Sequence, residues 1–245
     1  MYCCSKSKKR GRKYESKFSK KIIVALVLII SVESNLCNVQ AGTLSVQETR
    51  VESEKDIKTS EYDNNTIMDA DYAKKLKKGC VVVNAKIVCD STYRKKFSKD
   101  WKSRSKKTLV QATNMLYDKF NIYYNVKQEV AWDSGKSKNP DKLLDQLYLK
   151  YNVDKSKNAD VIVGFTRKRQ GSVLGIGYIG APYGLVCSTA YKTDIQVAQH
   201  ETGHNYKLLH CNNKKCTMYP YSYQENINKL CKKHKDQWKK NYKLY

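Results

Sequence analysis

Three of the four histidines in this 245-residue chain fall inside one eleven-residue stretch, His200-Glu201-Thr202-Gly203-His204-Asn205-Tyr206-Lys207-Leu208-Leu209-His210. The first five residues read H-E-x-x-H. On a helix, His200 and His204 project from one face a turn apart. Two imidazoles so placed can take two corners of a zinc tetrahedron, with Glu201 beside them to act on a water as general base. His210 lies too far along to share that face, so it can be the third ligand only if the chain turns sharply after about Tyr206. Three neutral imidazoles and an open fourth position make a catalytic zinc site. A third histidine at this spacing separates the motif from a chance H-E-x-x-H on a solvated helix.

The helix that carries His200 must be held by a sheet, and the chain before it alternates accordingly. Val81–Val83 and Ile87-Val88 read as strand, with Cys80 and Cys89 at either end and a hairpin between. Ser98–Phe120 is a long helix by the spacing of Leu109, Ala112, Met115 and Phe120. Asn121–Trp132 alternates as a strand. Asn139-Pro140-Asp141 opens a second helix. Ala159–Phe165 is a buried strand, and Gly175–Gly180 and Leu185–Ala190 are two more. Thr193 or Asp194 is expected to cap the zinc helix. The predicted class is α/β (α+β): a mixed, twisted sheet, an active-site helix and a small C-terminal subdomain.

Composition bounds the rest. The formal net charge is +24, carried mostly by dispersed lysines, which implies a solvated surface with some electrostatic attraction to anionic surfaces. No specific nucleic-acid partner is expected, because the lysines are scattered and aromatic and basic residues interleave in only a few places. Residues 1–41 read as a signal peptide, with basic residues ahead of the apolar run Ile22–Ile30 and Val39-Gln40-Ala41 as a cleavage site. Secretion follows, with a membrane anchor over residues 22–32 as the alternative. Residues 42–78 are polar, acidic in their first thirty, and read as a flexible linker or pro-segment. The zinc domain is then 79–245.

Downstream of His210 the chain reads Cys211-x4-Cys216-x-Met218-x-Pro220. H-E-x-x-H-x5-H followed by this run resembles the metzincin metallopeptidases over residues 80–245, with residues 194–220 carrying the motifs. The resemblance implies a secreted zinc endopeptidase acting on proteins or peptides through a zinc-activated water with Glu201 as general base. It makes Met218 the packing floor of a Met-turn. Tyr219 and Tyr221 are candidates to support the oxyanion. The strand Gly175–Gly180 is expected to offer an exposed edge to extended substrate. The other reading is a cationic zinc-binding protein without peptidase activity that binds anionic polymers.

Two relatives within the clan imply different fates for the cysteines. Reprolysin- or adamalysin-like enzymes form disulfides here; archaemetzincins bind a second zinc. Six cysteines follow the proposed cleavage site, an even set for an exported chain. Proximity in sequence pairs Cys80 with Cys89 and Cys211 with Cys216, leaving Cys187 with Cys231, although fifteen connectivities are open. The alternative is a second zinc on Cys211, Cys216, Cys231 and His234. The sequence departs from metzincins at Lys207, where a glycine would make the turn before His210. Were His210 not a ligand, Glu225 would be the thermolysin-like substitute.

Overall fold

The computed structural model describes residues 44–50, 76–151, 153 and 158–245. The proposed signal segment and most of 42–78 lie outside them, and no helix among the described residues is long and apolar enough to cross a membrane. In chain order the elements are β1 (Val46–Arg50), β2 (Val81–Asp90), α1 (Ser91–Phe97), α2 (Trp101–Phe120), β3 (Ile122–Trp132), α3 (Pro140–Lys150), β4 (Val161–Thr166), β5 (Val173–Tyr178), β6 (Tyr183–Cys187), α4 (Tyr191–Asn205) and α5 (Lys232–Asn241). Ser45–Tyr245 forms one compact unit.

The six strands make a single sheet in the order β1-β5-β6-β4-β2-β3. β2, β3, β4 and β6 run parallel, while β5 is antiparallel to both β6 and β1. This is the mixed sheet expected from strands that lose their helical crossovers after β4. Side chains alternate across it. Val161, Val163 and Phe165 join the core shared with Leu109, Leu116, Val197 and Met218. On the opposite face of β4, Gly164 lies so close to α3 that an added Cβ would come within 2.5 Å of a Leu147 methyl.

Several local expectations are corrected. Cys80 to Asp90 is no hairpin: Val81–Asp90 is one continuous strand, because Asn84-Ala85 are absorbed into parallel pairing on both sides. A separate helix, α1, precedes the long one. Asp90 caps it by accepting the Tyr93 amide at 2.8 Å, while its other oxygen collects the hydroxyls of Ser134 and Thr166. The edge of β5 is not exposed; β1, inside the stretch read as linker, covers it. Helix α4 starts at Tyr191 with Ala190 at the cap position. Asp194 works from inside the first turn instead, accepting the Thr189 amide and the Ser188 hydroxyl and pairing with Arg104 at 3.1 Å.

Candidate active site

Helix α4 is the centre of the site, and nearly every residue of it is buried. A helix apolar or packed all round belongs inside a protein, and here three glycines make that placement fit. A Cβ at Gly175 would come within 2.6 Å of Glu201 Oε1, and one at Gly177 within 2.9 Å of Oε2; at Gly184 it would meet Glu201 Cβ at 3.3 Å. The glycine-rich strands therefore form a hollow that receives the Glu201 side chain. On its other side α4 carries Gly203, where a Cβ would come within 2.4 Å of Met218 Sδ. Met218 is fully buried and packs directly beneath the helix.

His200 and His204 sit one turn apart on α4 as the spacing predicts. His200 Nδ1 donates to the Thr217 carbonyl and His204 Nδ1 to the Leu208 carbonyl, each at 2.7 Å. Both bonds place the proton on Nδ1 and leave Nε2 bare. The sharp turn that His210 requires is present. Leu208 N–H bonds Gly203 O and Lys207 N–H bonds His204 O, the two bonds of a Schellman helix end. Lys207 takes the left-handed position with φ 65°, where the metzincin resemblance implies glycine. His210 is thereby returned to the helix face, with its Nε2 3.0 Å from that of His200. Ring centroids of the three imidazoles lie 4.7–5.0 Å apart.

The donor set fits a zinc ion. One ligand atom from each of the three rings lies within 4.8 Å of the other two; a tetrahedral ion bound at about 2.0–2.1 Å holds its ligands roughly 3.3 Å apart. His204 Nε2 is buried without a hydrogen-bond partner. Burial, with the His204 and His210 rings adding to it, holds the His200 imidazole well below its ordinary range. Burial likewise lowers His204 to about 3 and His210 to about 4. All three are neutral at pH 7, and on His200 and His204 the free lone pair lies on Nε2. Burial raises the Glu201 carboxyl well above the carboxylate range, opposed by the Thr49 hydroxyl and amide.

Two supporting residues escaped the sequence reading. Gln199, fully buried, donates to Ala112 O and Asn228 Oδ1 and accepts from the Asn228 amide and the Thr217 hydroxyl. It pins α4 to α2 and to the loop behind Met218. Thr217 in turn fixes the His200 tautomer. Neither residue type at its position carries a signal legible in one sequence. Glu225 is exposed and stands apart from the histidine cluster. Tyr219 and Tyr221 are partly buried and packed, Tyr219 stacking on Tyr223 at 5.8 Å and meeting Tyr221 at 5.6 Å.

None of the expected disulfides is present; Cys80, Cys89, Cys187, Cys211, Cys216 and Cys231 are free thiols. Cys80 and Cys89 cannot meet because the chain between them runs as a single extended strand, Val81–Asp90, which holds them far beyond bridging distance. Cys187 ends β6, whereas Cys231 belongs to a different cluster. Cys211, Cys216, Cys231 and His234 bring four ligand atoms within 4.8 Å of one another. His234 Nδ1 is 3.3 Å from Cys216 Sγ and 3.4 Å from Cys231 Sγ, and the Cys231 amide donates to Cys216 Sγ. Burial pushes the Cys216 thiol up to about 12.

No curated protein matches the chain. Among solved structures, one described as the structure of a chaperone-substrate complex superposes with a TM-score of 0.52 at 13% identity, over 67% of this chain. The match spans only 34% of that chain and bears on the fold alone. The profile of Reprolysin_5, metallo-peptidase family M12, matches residues 81–238, a span that contains both histidine-bearing segments, the Met218 loop and the cysteine cluster. The chain belongs to metallo-peptidase family M12.

Proposed function

We propose that this protein is a secreted zinc endopeptidase in which Glu201 is the general base. The observation that carries the reading is the carboxylate of Glu201 buried in a glycine-lined hollow beside three convergent, neutral imidazoles. His200, His204 and His210 would hold the zinc, with Thr217 and Leu208 keeping their rings aimed inward. The ion supplies Lewis acidity for attack on a peptide carbonyl. Glu201 takes the proton from the attacking water and delivers it to the leaving amide nitrogen. Met218 forms a rigid floor under the helix that carries two of the ligands. Secretion rests on the basic leader and apolar run of residues 1–41.

Purified, zinc-loaded protein assayed on an unstructured protein substrate tests the reading. Cleavage within the substrate chain, lost in Glu201→Gln with metal retained, is the expected result. No cleavage by either form would favour the cationic zinc-binding protein without peptidase activity. Appearance of protein beginning at Gly42 in the medium tests export.

A second, structural zinc on Cys211, Cys216, Cys231 and His234 is the reading that the cluster supports. Three thiols and an imidazole form a closed tetrahedral set, and their four ligand atoms already lie within 4.8 Å of one another. Metal analysis giving two zincs per chain, with one resisting mild chelation, is the expected outcome.

A further inference from the structure

A second concavity lies behind the histidine cluster. It is a cavity of about 350 Å³ where the C-terminal end of α2, the residues leading into β2 and the last turn of α5 meet, lined among others by Lys77, Tyr117, Lys119, Lys239 and Tyr242. That is the size of a small-ligand pocket. Its floor is apolar, because Tyr117 and Phe120 are buried. Its mouth is cationic, because Lys77, Lys119 and Lys239 are exposed. Three ammonium groups stand against the one carboxylate of Asp118, and among the described residues none of the three is in an ion pair. Asp236, one turn back on α5, is taken by Lys232 at 2.7 Å. The positive surface continues outward: Lys235 and Lys239 sit a turn apart on α5, and Lys240 and Lys243 follow, all exposed. Lysines gathered on one mouth focus a potential that attracts anions.

The chemistry of the lining selects among anions. Single-stranded nucleic acid is held by bases stacked on open aromatic faces, and the rings here are covered. Lys77 lies 4.9 Å from the Tyr117 centroid, Trp238 stacks on Phe120 at 5.7 Å, and Lys243 lies 5.3 Å from the Tyr242 centroid. Carboxylates and phosphates are best matched by the planar fork of arginine, and none of the residues lining the cavity is arginine. Lysine offers a compact point charge, which suits a sulfate group approached from any side. A chain of saturated sugar rings bearing sulfates meets these terms. Its charges take the ammonium groups, its C–H surface rests on the partly buried Tyr242, and its repeat follows the lysines along α5.

We propose that this cavity, with the lysines that continue from it along α5, binds a sulfated polysaccharide. The site is separate from the histidine cluster. A run of rings, Phe120 on Trp238 and Trp238 against Tyr206 at 5.5 Å, leads from its floor to the end of α4. Binding there tethers the protein to the polymer and leaves the histidines uncovered. It holds whether or not the chain cleaves peptides.

The test measures binding of a labelled, sulfated hexasaccharide to the full chain at about 0.15 M salt, where distant surface charges are screened. Lys77→Gln with Lys239→Gln removes two ammonium groups from the mouth. Lys102→Gln with Lys106→Gln removes two from the exposed side of α2 and is the charge-matched control. We expect the first pair to weaken binding by roughly tenfold or more and the control pair by less than about threefold. Tyr242→Ala should weaken it by roughly threefold. Hydrogen exchange in the parent is the second measurement: residues 117–121 and 239–242 should exchange more slowly when the sugar is bound. Equal losses from the two lysine pairs would make the affinity a matter of net charge and overturn the site. Absence of binding by the parent, or protection confined to other residues, overturns it as well. So does equally tight binding of an unsulfated uronic-acid hexamer or of a single-stranded oligonucleotide of the same formal charge.

Discussion

The chain presents two clusters of metal-ligand side chains, and they differ in the features that separate chemistry from structure. The histidine cluster offers three ligands and a buried carboxylate beside them. The cysteine cluster offers four ligands and no carboxylate. Three ligands leave a coordination position for a reactant; four close the shell. The two are nonetheless joined. The Cys211 amide bonds Met218 O, so the closed cluster braces the loop that supports the open one. A site that must remain reactive is thus positioned by a neighbour whose bonds are fully used.

The sharpest way to break this comparison is to remove the one group only the first cluster has. Glu201→Gln should retain zinc and lose about 10²–10⁴-fold in kcat, read on a protein substrate alongside metal analysis. Near-parental turnover would show that the carboxylate is not the base. The complementary change is Cys216→Ser. It should drop bound zinc from two to one and lower Tm by ~10 °C, because metal held by a closed set contributes folding free energy directly. Calorimetry that finds no change in Tm would place that cluster outside the stability of the domain.

The chemistry of the site was legible because it is local. His200, Glu201 and His204 sit within one helical turn, and a single Schellman turn returns His210 to them. Residues whose work depends on distant partners were not legible. Nothing in Gln199 announces that Ala112 and Asn228 will share its amide. The cysteines misled because sequence proximity favoured hairpin and loop disulfides, whereas an uninterrupted β2 separates Cys80 from Cys89. The alternation of strands and helices gave the mixed sheet, but β1 lies in a polar, acidic stretch without a hydrophobic pattern. Its pairing comes from the vacant edge of β5, which no local signal records.

Smaller effects sharpen the open cluster. His210→Ala should weaken the first zinc by more than the 10–100-fold that follows loss of a supporting residue, whereas Glu225→Ala should leave it unchanged; a chelator competition separates them. Gly203→Ala addresses the floor. Its methyl would run into Met218 Sδ, and overpacking of this kind costs about 1–3 kcal/mol. Combining it with Met218→Ala should recover part of the lost Tm, since the clash then has no partner.

The smallest expected effect concerns Lys207, where the sequence departs from the glycine that the metzincin resemblance implies. Its φ of 65° is a left-handed conformation that costs a residue with a Cβ roughly 1–2 kcal/mol. Glycine removes that strain but gains freedom in the unfolded chain worth about 0.4–1 kcal/mol. Lys207→Gly should therefore stabilise the protein by about 0–1.6 kcal/mol, a rise in Tm of no more than about 6 °C. Lys207→Asn, which tolerates the same conformation, should fall close behind. Lys207→Ala tests the opposing term: it keeps the strain and removes the methylenes that lie over Gly180, where an added Cβ would come within 2.8 Å of Lys207 Cγ. The expected order of Tm is glycine, asparagine, lysine, alanine. If glycine instead falls below lysine, packing across Gly180 outweighs backbone strain, and the lysine side chain is what holds the turn before His210.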